Sequence, residues 1–286
     1  MKKLLLFISF LYFAISWAQT VHLDVSNDPY DHFKLDSNAP FYGREIKSKL
    51  YTNEKPYHEK SLGENIQNIY YNYKTLPNPQ NKKKQKTGLT ILQIGENILK
   101  FTDRAILKND SLKETFAKKG GTDTNDIYKG RAITNMAGFD TNVFNDLKTK
   151  QTTIQNALIL SGLEYTIPTP QLKWQLQKDQ KEILGYAVQK ATTSYGGREW
   201  VAWFAKDIPL SYGPYLFGGL PGLILEMHDT ADEHHFTAIA MSTTPRPFYK
   251  RIYEWERKTS EEKALNALKE RCEDRLFRPF NPIEKF

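Results

Sequence analysis

Hydrophobic and polar side chains alternate with a period of two in several short segments of the chain, and this pattern predicts β-strands. Residues 65–76 (NIQNIYYNYKTL) follow it and are expected to form a half-buried strand. Residues 90–95 and 98–107 predict two more strands, joined by a turn at residues 95–97. Later strands are predicted for segments that are rich in β-branched and aromatic side chains: 164–170, 172–177, 181–195, 198–208, 222–230 and 235–244.

Two segments have helical patterns. Residues 109–121 are expected to form a short helix, capped by Asp110 or Ser111 and ended by the glycine pair 120–121. A longer C-terminal helix is expected over residues 253–276. The polar stretch between the first helix and the later strands is ambiguous.

The predicted strands after residue 163 follow one another closely, with short turns and no helix between them. Gly196 and Gly197 suit a tight hairpin turn, because glycine adopts positive φ at no steric cost. Parallel neighbours would need crossover connections of a dozen or more residues, which this spacing does not provide. The sequence therefore predicts an α+β fold dominated by an antiparallel β-sheet meander, with the C-terminal helix and a few short helices.

The most unusual stretch is GPYLFGGLPGLILEMHD, residues 213–229. Gly218 and Gly219 are expected to take positive φ, and Pro221 with Gly222 suits the central positions of a type II turn. The apolar residues that follow predict a buried strand. The stretch does not match a phosphate loop, since no Lys-Ser/Thr pair follows it and proline removes a backbone donor. It indicates a tight corner, and a loop that contacts a ligand through its backbone is the functional alternative.

The first 18 residues have the order of a secretory signal peptide: lysines, an apolar stretch, and small residues before an expected cleavage after Ala18. Residues 19–286 are expected to form a single β-rich domain with an irregular N-terminal segment at 19–64. No later segment is long and apolar enough to predict a transmembrane helix in the mature chain. We therefore expect an exported protein that is periplasmic, associated with the outer membrane or secreted.

Charge and cysteine content narrow the function classes. The formal net charge is +7, and removal of Lys2 and Lys3 with the signal peptide leaves 7 − 2 = +5. This mildly basic balance is not the footprint of a nucleic-acid-binding protein, and export argues against such a partner as well. Cys272 is the single cysteine, so no internal disulfide is expected and stability must come from the core.

The corner contains a hexapeptide made of Gly219, Leu220, Pro221, Gly222, Leu223 and Ile224. Together with segments 183–229 and 87–111, it resembles the GLPGLI family, a set of exported proteins of Gram-negative bacteria. The resemblance implies no activity, since the family has none established. The family's pattern resembles the half-barrel of periplasmic lipoprotein carriers, which implies a curved half-barrel and favours hydrophobic-ligand binding. Ala187 and Val188 stand in a strand where family members often carry a cysteine, so thiol chemistry is not carried over.

The segment REWVAWFA is apolar on both faces, so this strand is either covered on both sides or lines a cavity. A half-open barrel would provide such a cavity, whereas inter-strand packing is the structural alternative. The candidate ligand-binding residues are the aromatic side chains of this strand and of the corner: Trp200, Trp203, Phe204, Tyr215 and Phe217.

The segment MHDTADEHH joins two predicted strands and crowds imidazoles and carboxylates at one hairpin tip. These groups suit Zn, Cu or Ni, and the candidate metal ligands are His228, His234 and His235. A solvated hairpin tip without metal is the structural alternative, because a metal site needs three or four converging ligands.

Three functions are compatible with these features. The leading hypothesis is an exported, non-enzymatic binding or accessory protein of the cell envelope, with an apolar ligand, a peptide or an outer-membrane transporter as partner. The second is a copper- or zinc-handling accessory of such a transporter. The third is a hydrolase of unrecognised type, since scattered residues can form an active site even though the sequence has no catalytic motif. The sequence requires no cofactor.

Overall fold

The computed structural model describes residues 58–81, 83–118, 124–157, 162–252, 256–273 and 282–284. Within these ranges the chain forms the strands β1 (His58–Ser61), β2 (Asn65–Thr75), β3 (Lys86–Gly95), β4 (Ile98–Asp103), β5 (Thr141–Asp146), β6 (Gln151–Ala157), β7 (Gly162–Pro168), β8 (Gln175–Ile183), β9 (Tyr186–Tyr195), β10 (Arg198–Ala205), β11 (Leu223–Asp229), β12 (His234–Ser242), β13 (Tyr249–Ile252) and β14 (Glu256–Lys258). The helices are α1 (Arg104–Lys118), α2 (Thr124–Met136) and α3 (Glu261–Glu273).

Twelve strands form one largely antiparallel sheet in the order β14-β7-β6-β5-β4-β3-β2-β12-β11-β10-β9-β8. The run from β8 to β12 confirms the predicted meander, because each of these strands pairs with the next. The pair β14–β7 is parallel. The two edge strands, β14 and β8, do not pair with each other, so the sheet is open. This pairing does not produce the curled half-barrel that the family resemblance implied.

One face of the sheet, here called the inner face, carries the main hydrophobic core. Cross-strand partners share a face, and the pairs Ile69↔Leu92, Leu92↔Phe101 and Ile154↔Tyr165 place these buried side chains together. The same core includes Trp200 and other side chains from the second half of the sheet. Strand β2, predicted to be half-buried, is buried on both faces over much of its length.

The outer face of the sheet is covered in part by α1 and by the two-stranded sheet of β1 and β13. Buried polar side chains connect these layers. Lys100 of β4 donates a hydrogen bond to the carbonyl oxygen of Tyr249, and Asp110 of α1 forms an ion pair with Arg251. The remaining outer face, over β8 to β12, is more polar and holds the histidines discussed below.

Several predicted boundaries are wrong for local physical reasons. The strand expected over 98–107 ends at Asp103, whose carboxylate accepts a hydrogen bond from the amide of Ala105 and caps α1. The helix therefore begins before the predicted 109–121. The strand expected over 181–195 is a hairpin, because Leu184 and Gly185 take φ of 54° and 78° and form a tight turn.

Other predictions are confirmed or fall outside the described ranges. Gly196 and Gly197 take φ of 57° and 70° in the expected hairpin turn. The C-terminal helix is present as α3, but it begins at Glu261, because residues 256–258 form β14; residues 253–255 and 274–276 of the predicted helix lie outside the described residues. The signal peptide at 1–18, most of the irregular segment at 19–64, and the glycine pair 120–121 lie outside the described residues. None of the helices in the described part of the chain has the length and hydropathy needed to cross a membrane.

Candidate functional site

The corner segment, residues 206–222, connects β10 to β11 and packs on the inner face. Backbone hydrogen bonds hold it closed. The amide of Gly219 donates to the carbonyl oxygen of Ser211 (3.0 Å), and the amide of Ile224 donates to that of Tyr212 (3.0 Å). The indole of Trp174 also donates to the carbonyl oxygen of Gly218 (2.9 Å). The corner is therefore an ordered part of the core.

The glycines of the corner have different roles from those predicted. Only Gly219 of the pair 218–219 takes positive φ (86°), and a Cβ there would have no atom closer than 3.9 Å. The amide of Gly222 donates to the carbonyl oxygen of Leu220 (2.8 Å), so Pro221 sits in a three-residue turn and the predicted type II turn is wrong. A Cβ on Gly222 would lie 2.1 Å from the carbonyl oxygen of Ala205, which requires glycine on steric grounds.

The five aromatic residues proposed as a ligand site are divided between the two faces. Trp200 and Phe204 are fully buried in the inner-face core, and the rings of Trp200 and Phe217 lie 4.6 Å apart. Tyr215 and Phe217, from the corner, are also buried there. Trp203 lies on the outer face, half-buried beneath the ammonium group of Lys181, which is 4.4 Å from its ring.

A cavity of about 360 Å³ lies between the corner segment and strands β3–β5. Phe101 and Val143 contribute to it from the sheet, and Tyr215, Phe217 and Gly219 from the corner. Two of the five predicted ligand residues therefore line this cavity, and the other three do not. The corner shapes the cavity with backbone atoms where glycine leaves space.

A second cavity, of about 260 Å³, also has Tyr215 in its wall, together with Tyr165 and Glu284. The carboxylate of Glu284 accepts hydrogen bonds from the hydroxyl groups of Tyr215 (2.6 Å) and Tyr195 (3.3 Å). Burial raises the pKa of Glu284, and the two hydroxyl groups act against that increase. Tyr215 takes φ of 56°, which is uncommon for a bulky residue. No pattern along the chain indicates that Glu284 lies beside the corner.

On the outer face, the hairpin of β11 and β12 brings two of the three predicted metal ligands together. His228 and His235 are direct cross-strand partners, and Glu226 precedes His228 by two residues on the same face. One ligand atom from each residue lies within 4.8 Å of the other two. We call Glu226, His228 and His235 the outer-face cluster.

His234 does not belong to this cluster, because adjacent residues of a strand point to opposite faces. Its side chain is fully buried in the inner-face core, between Tyr73 and Trp200. The carbonyl oxygen of Pro282 lies 3.2 Å from Nε2, so Nε2 carries the proton and Nδ1 accepts from the hydroxyl group of Tyr73. His234 therefore cannot share an ion with His228 and His235, and Glu226, which sequence reasoning missed, lies beside these two instead.

The charged groups of the outer-face cluster shift one another's pKa values. Burial alone would raise the pKa of Glu226, but His235 and Lys181 outweigh it and hold the pKa at about 2. The contact with Glu226 raises the pKa of His235, whereas burial and the neighbouring His235 lower that of His228. At neutral pH the cluster therefore contains a carboxylate beside two imidazoles that differ in basicity.

The tip of the hairpin is anchored by a buried arginine. The guanidinium group of Arg198 forms ion pairs with Asp229 (2.8 Å) and Glu233 (2.5 Å) and donates to the carbonyl oxygen of Ile283. Asp229 in turn accepts hydrogen bonds from the backbone amides of Glu233 and His234. The turn is thus fixed from within, while residues 230–232 at its tip are exposed to solvent, as the structural alternative expected.

Comparisons with known proteins give a short family match. Residues 196–226 match the model of a family described as "Protein of unknown function (Porph_ging)", the GLPGLI family. The matched segment runs from the hairpin turn before β10 through the corner to Glu226 in β11. No curated protein matches the sequence.

Two solved structures of PNGF-II, in the P21 and C2 space groups, are similar to the chain with 14% sequence identity. The TM-scores are 0.43 and 0.41, over 70% and 68% of this chain. The chain spans about a third of the length of PNGF-II, 32% and 31% in the two cases. These TM-scores are too low to support a conclusion about fold or function. The family whose model matches residues 196–226 is one of unknown function.

Proposed function

We propose that the protein is an exported, non-enzymatic binding protein of the cell envelope that holds an apolar ligand or peptide against the inner face of the open sheet. The observation that carries this proposal is the cavity of about 360 Å³ between the corner segment and strands β3–β5. Sites for small ligands have volumes of about 300–1,000 Å³ and apolar walls with a few polar groups.

The lining of the cavity is mixed, and it suits an occupant that has both an apolar part and polar groups. Buried side chains such as Leu99 and Phe101 belong to the hydrophobic core and also line the cavity. The polar side chains that line it are as prominent, and they include charged ones: Asn145, Asp146, Lys150, Thr169, Gln171 and Ser211. An occupant that buries its apolar part against the core side chains gains about 25 cal/mol per Å² removed from water, while the polar groups orient it.

The corner contributes backbone rather than side chains to the cavity wall. Gly219 lines the cavity, and a Cβ there would approach no atom closer than 3.9 Å. Glycine in such a position lets another molecule approach the main chain closely. This arrangement favours the ligand-contacting loop that the sequence left open. Export rests on the N-terminal sequence, and an outer-membrane transporter as partner stays a prediction.

The proposal is tested with a substitution that narrows the cavity. Ser211 is exposed and lines the cavity, so Ser211→Phe is expected to occupy part of it without disturbing the core. Asp207→Phe places the same ring on an exposed position of the same segment that does not line the cavity. Binding is followed by the fluorescence of 8-anilino-1-naphthalenesulfonate, titrated into each folded protein.

We expect saturable binding to the wild type, binding at least about tenfold weaker for Ser211→Phe, and an unchanged dissociation constant for Asp207→Phe. Equal binding by all three proteins would place the probe elsewhere and contradict the proposal. Absence of saturable binding to the wild type would contradict it as well.

A further inference from the structure

We propose that the outer-face cluster is a binding site for a divalent transition-metal ion, with Glu226, His228 and His235 as protein ligands and Zn²⁺ as the reference ion. This site is separate from the inner-face cavity, because it lies on the opposite face of the sheet. Two imidazole nitrogens and one carboxylate oxygen are a donor set that suits Zn²⁺ or Cu²⁺ and leaves a fourth coordination position open.

Two of the three donor separations in the cluster are close to those of a tetrahedral site. Glu226 Oε1 lies 3.3 Å from His235 Nε2 and 3.7 Å from His228 Nδ1. Ligand atoms bound about 2.0–2.1 Å from a tetrahedral ion stand about 3.3–3.4 Å apart. The two imidazole nitrogens lie within 4.8 Å of each other, so rotation of these side chains has to bring them to coordination distance.

The two ring nitrogens that face Glu226, His228 Nδ1 and His235 Nε2, are buried atoms that make no well-aligned hydrogen bond. Both contact the same carboxylate oxygen, Glu226 Oε1. A buried polar nitrogen without a partner costs about 1–3 kcal/mol, so such atoms need an explanation. Coordination of one cation would satisfy both nitrogens and Glu226 Oε1 together.

A second carboxylate sets the tautomer of His235. Nδ1 of His235 lies 3.2 Å from Asp232 Oδ1, which only accepts hydrogen bonds when ionised. Nδ1 therefore carries the proton in the neutral ring and leaves the lone pair of Nε2 directed toward the cluster. A carboxylate behind a ligating histidine is the usual outer-sphere arrangement in metal sites.

The scaffold under the cluster is rigid enough to hold the donors in place. His228 and His235 are direct partners in the β11–β12 ladder. Arg198 and Asp229 fix the turn that connects these strands. Sites built on strands hold their geometry better than sites on loops.

Lys181 is the group that opposes a bound cation. Its ammonium group lies 2.6 Å from Glu226 Oε2 and occupies the carboxylate oxygen that does not face the imidazoles. The side chain is partly exposed, so it can move toward solvent when a divalent ion binds. We therefore expect Lys181→Met to tighten metal binding, the reverse of the effect of removing a ligand.

The test is calorimetric titration of the full mature chain, produced without a histidine tag, with Zn²⁺ and with Cu²⁺. We expect one ion per chain with a dissociation constant tighter than about 10 μM. Glu226→Gln, His228→Gln and His235→Asn are each expected to weaken binding at least about 100-fold, and Asp232→Asn about tenfold. Glu182→Gln, an exposed carboxylate change on β8, is the matched control and leaves binding unchanged.

A second readout locates the ion. Trp203 is the cross-strand partner of Glu226, so Cu²⁺ in the cluster quenches its fluorescence, and the quenching is lost in Trp203→Phe. Ligand variants that retain native circular dichroism but no longer bind Zn²⁺ support the site. Wild-type affinity weaker than about 10 μM, or unchanged affinity in all three ligand variants, overturns it.

Discussion

Alanine at Gly222 is expected to destabilise the fold far more than alanine at Gly219, although both glycines belong to the same hexapeptide. A Cβ on Gly222 would lie 2.1 Å from the carbonyl oxygen of Ala205 and 2.7 Å from its carbonyl carbon. These are backbone atoms at the end of β10, where Ala205 pairs with Leu223. The clash cannot be relieved by rotating a side chain, so the ends of two core strands must separate.

The magnitudes follow from these contacts. Relief of an overlap of about 1 Å against core backbone costs about 3–4 kcal/mol, at the upper end of the range for overpacking. In Gly219→Ala the new Cβ approaches no atom closer than 3.9 Å. The destabilisation then comes from the positive φ alone and is about 1–2 kcal/mol. The expected difference between the two variants is therefore about 2 kcal/mol.

Urea unfolding followed by tryptophan fluorescence measures this difference, because Trp200 is fully buried in the core. Wild type, Gly219→Ala and Gly222→Ala are compared at equal m-values. The reasoning is refuted if Gly222→Ala loses no more stability than Gly219→Ala. The reasoning is also refuted if each variant loses less than about 0.5 kcal/mol of unfolding free energy, which is the range of ordinary surface substitutions.

Three further predictions concern charged groups. Arg198→Met leaves Asp229 buried without its partner and should cost about 3–5 kcal/mol in urea unfolding, and a loss below about 1 kcal/mol would contradict the anchoring role. Burial lowers the pKa of Lys100 to about 8 from 10.5, so between these pH values the unfolded chain binds more protons than the native one. Native stability relative to Lys100→Met should therefore rise by about 3 kcal/mol over that range, and parallel pH profiles would contradict it. In NMR titrations of the metal-free chain, the pKa of His235 should lie above the ordinary histidine value and that of His228 below it. Glu226→Gln should lower the pKa of His235. A pKa of His235 at or below the ordinary value would be inconsistent with the Glu226 contact.

The second half of the sheet was largely predictable from sequence because its turns are local. Gly196 and Gly197 adopt the positive φ that their type suggests, and β9 and β10 follow from alternation on either side. The turn at Leu184 was missed because leucine gives no turn signal and the flanking residues continue a β-branched pattern. The helix beginning at Arg104 was missed because its cap, Asp103, lies inside an apparently continuous strand pattern.

The outer-face cluster was half predictable. Alternation along β12 separates His234 from His235, so the sequence already implied that both cannot bind one ion. Choosing between them needed the register of β11 with β12, which pairs His228 with His235. Glu226 was not recognised because it lies in the strand rather than at the tip. Arg198 was not recognised as an anchor because its partners are 31 and 35 residues away.

The inner-face cavity could not be predicted from aromatic content. Trp200 packs against Phe217 in the core. An aromatic side chain that packs in a core and one that lines a cavity have the same sequence pattern. The cavity arises where the corner segment, with few side chains, approaches strands β3–β5. That approach is a tertiary property, set by which strands become neighbours.

Native mass spectrometry of the mature protein, released under mild conditions from the envelope of the cells that produce it, tests the binding function most directly. The account predicts a bound molecule of defined mass that is present on the wild type and on Asp207→Phe. The same molecule is expected to be lost from Ser211→Phe. A wild-type protein that carries no molecule, or one that stays bound equally to Ser211→Phe, would contradict the proposed function.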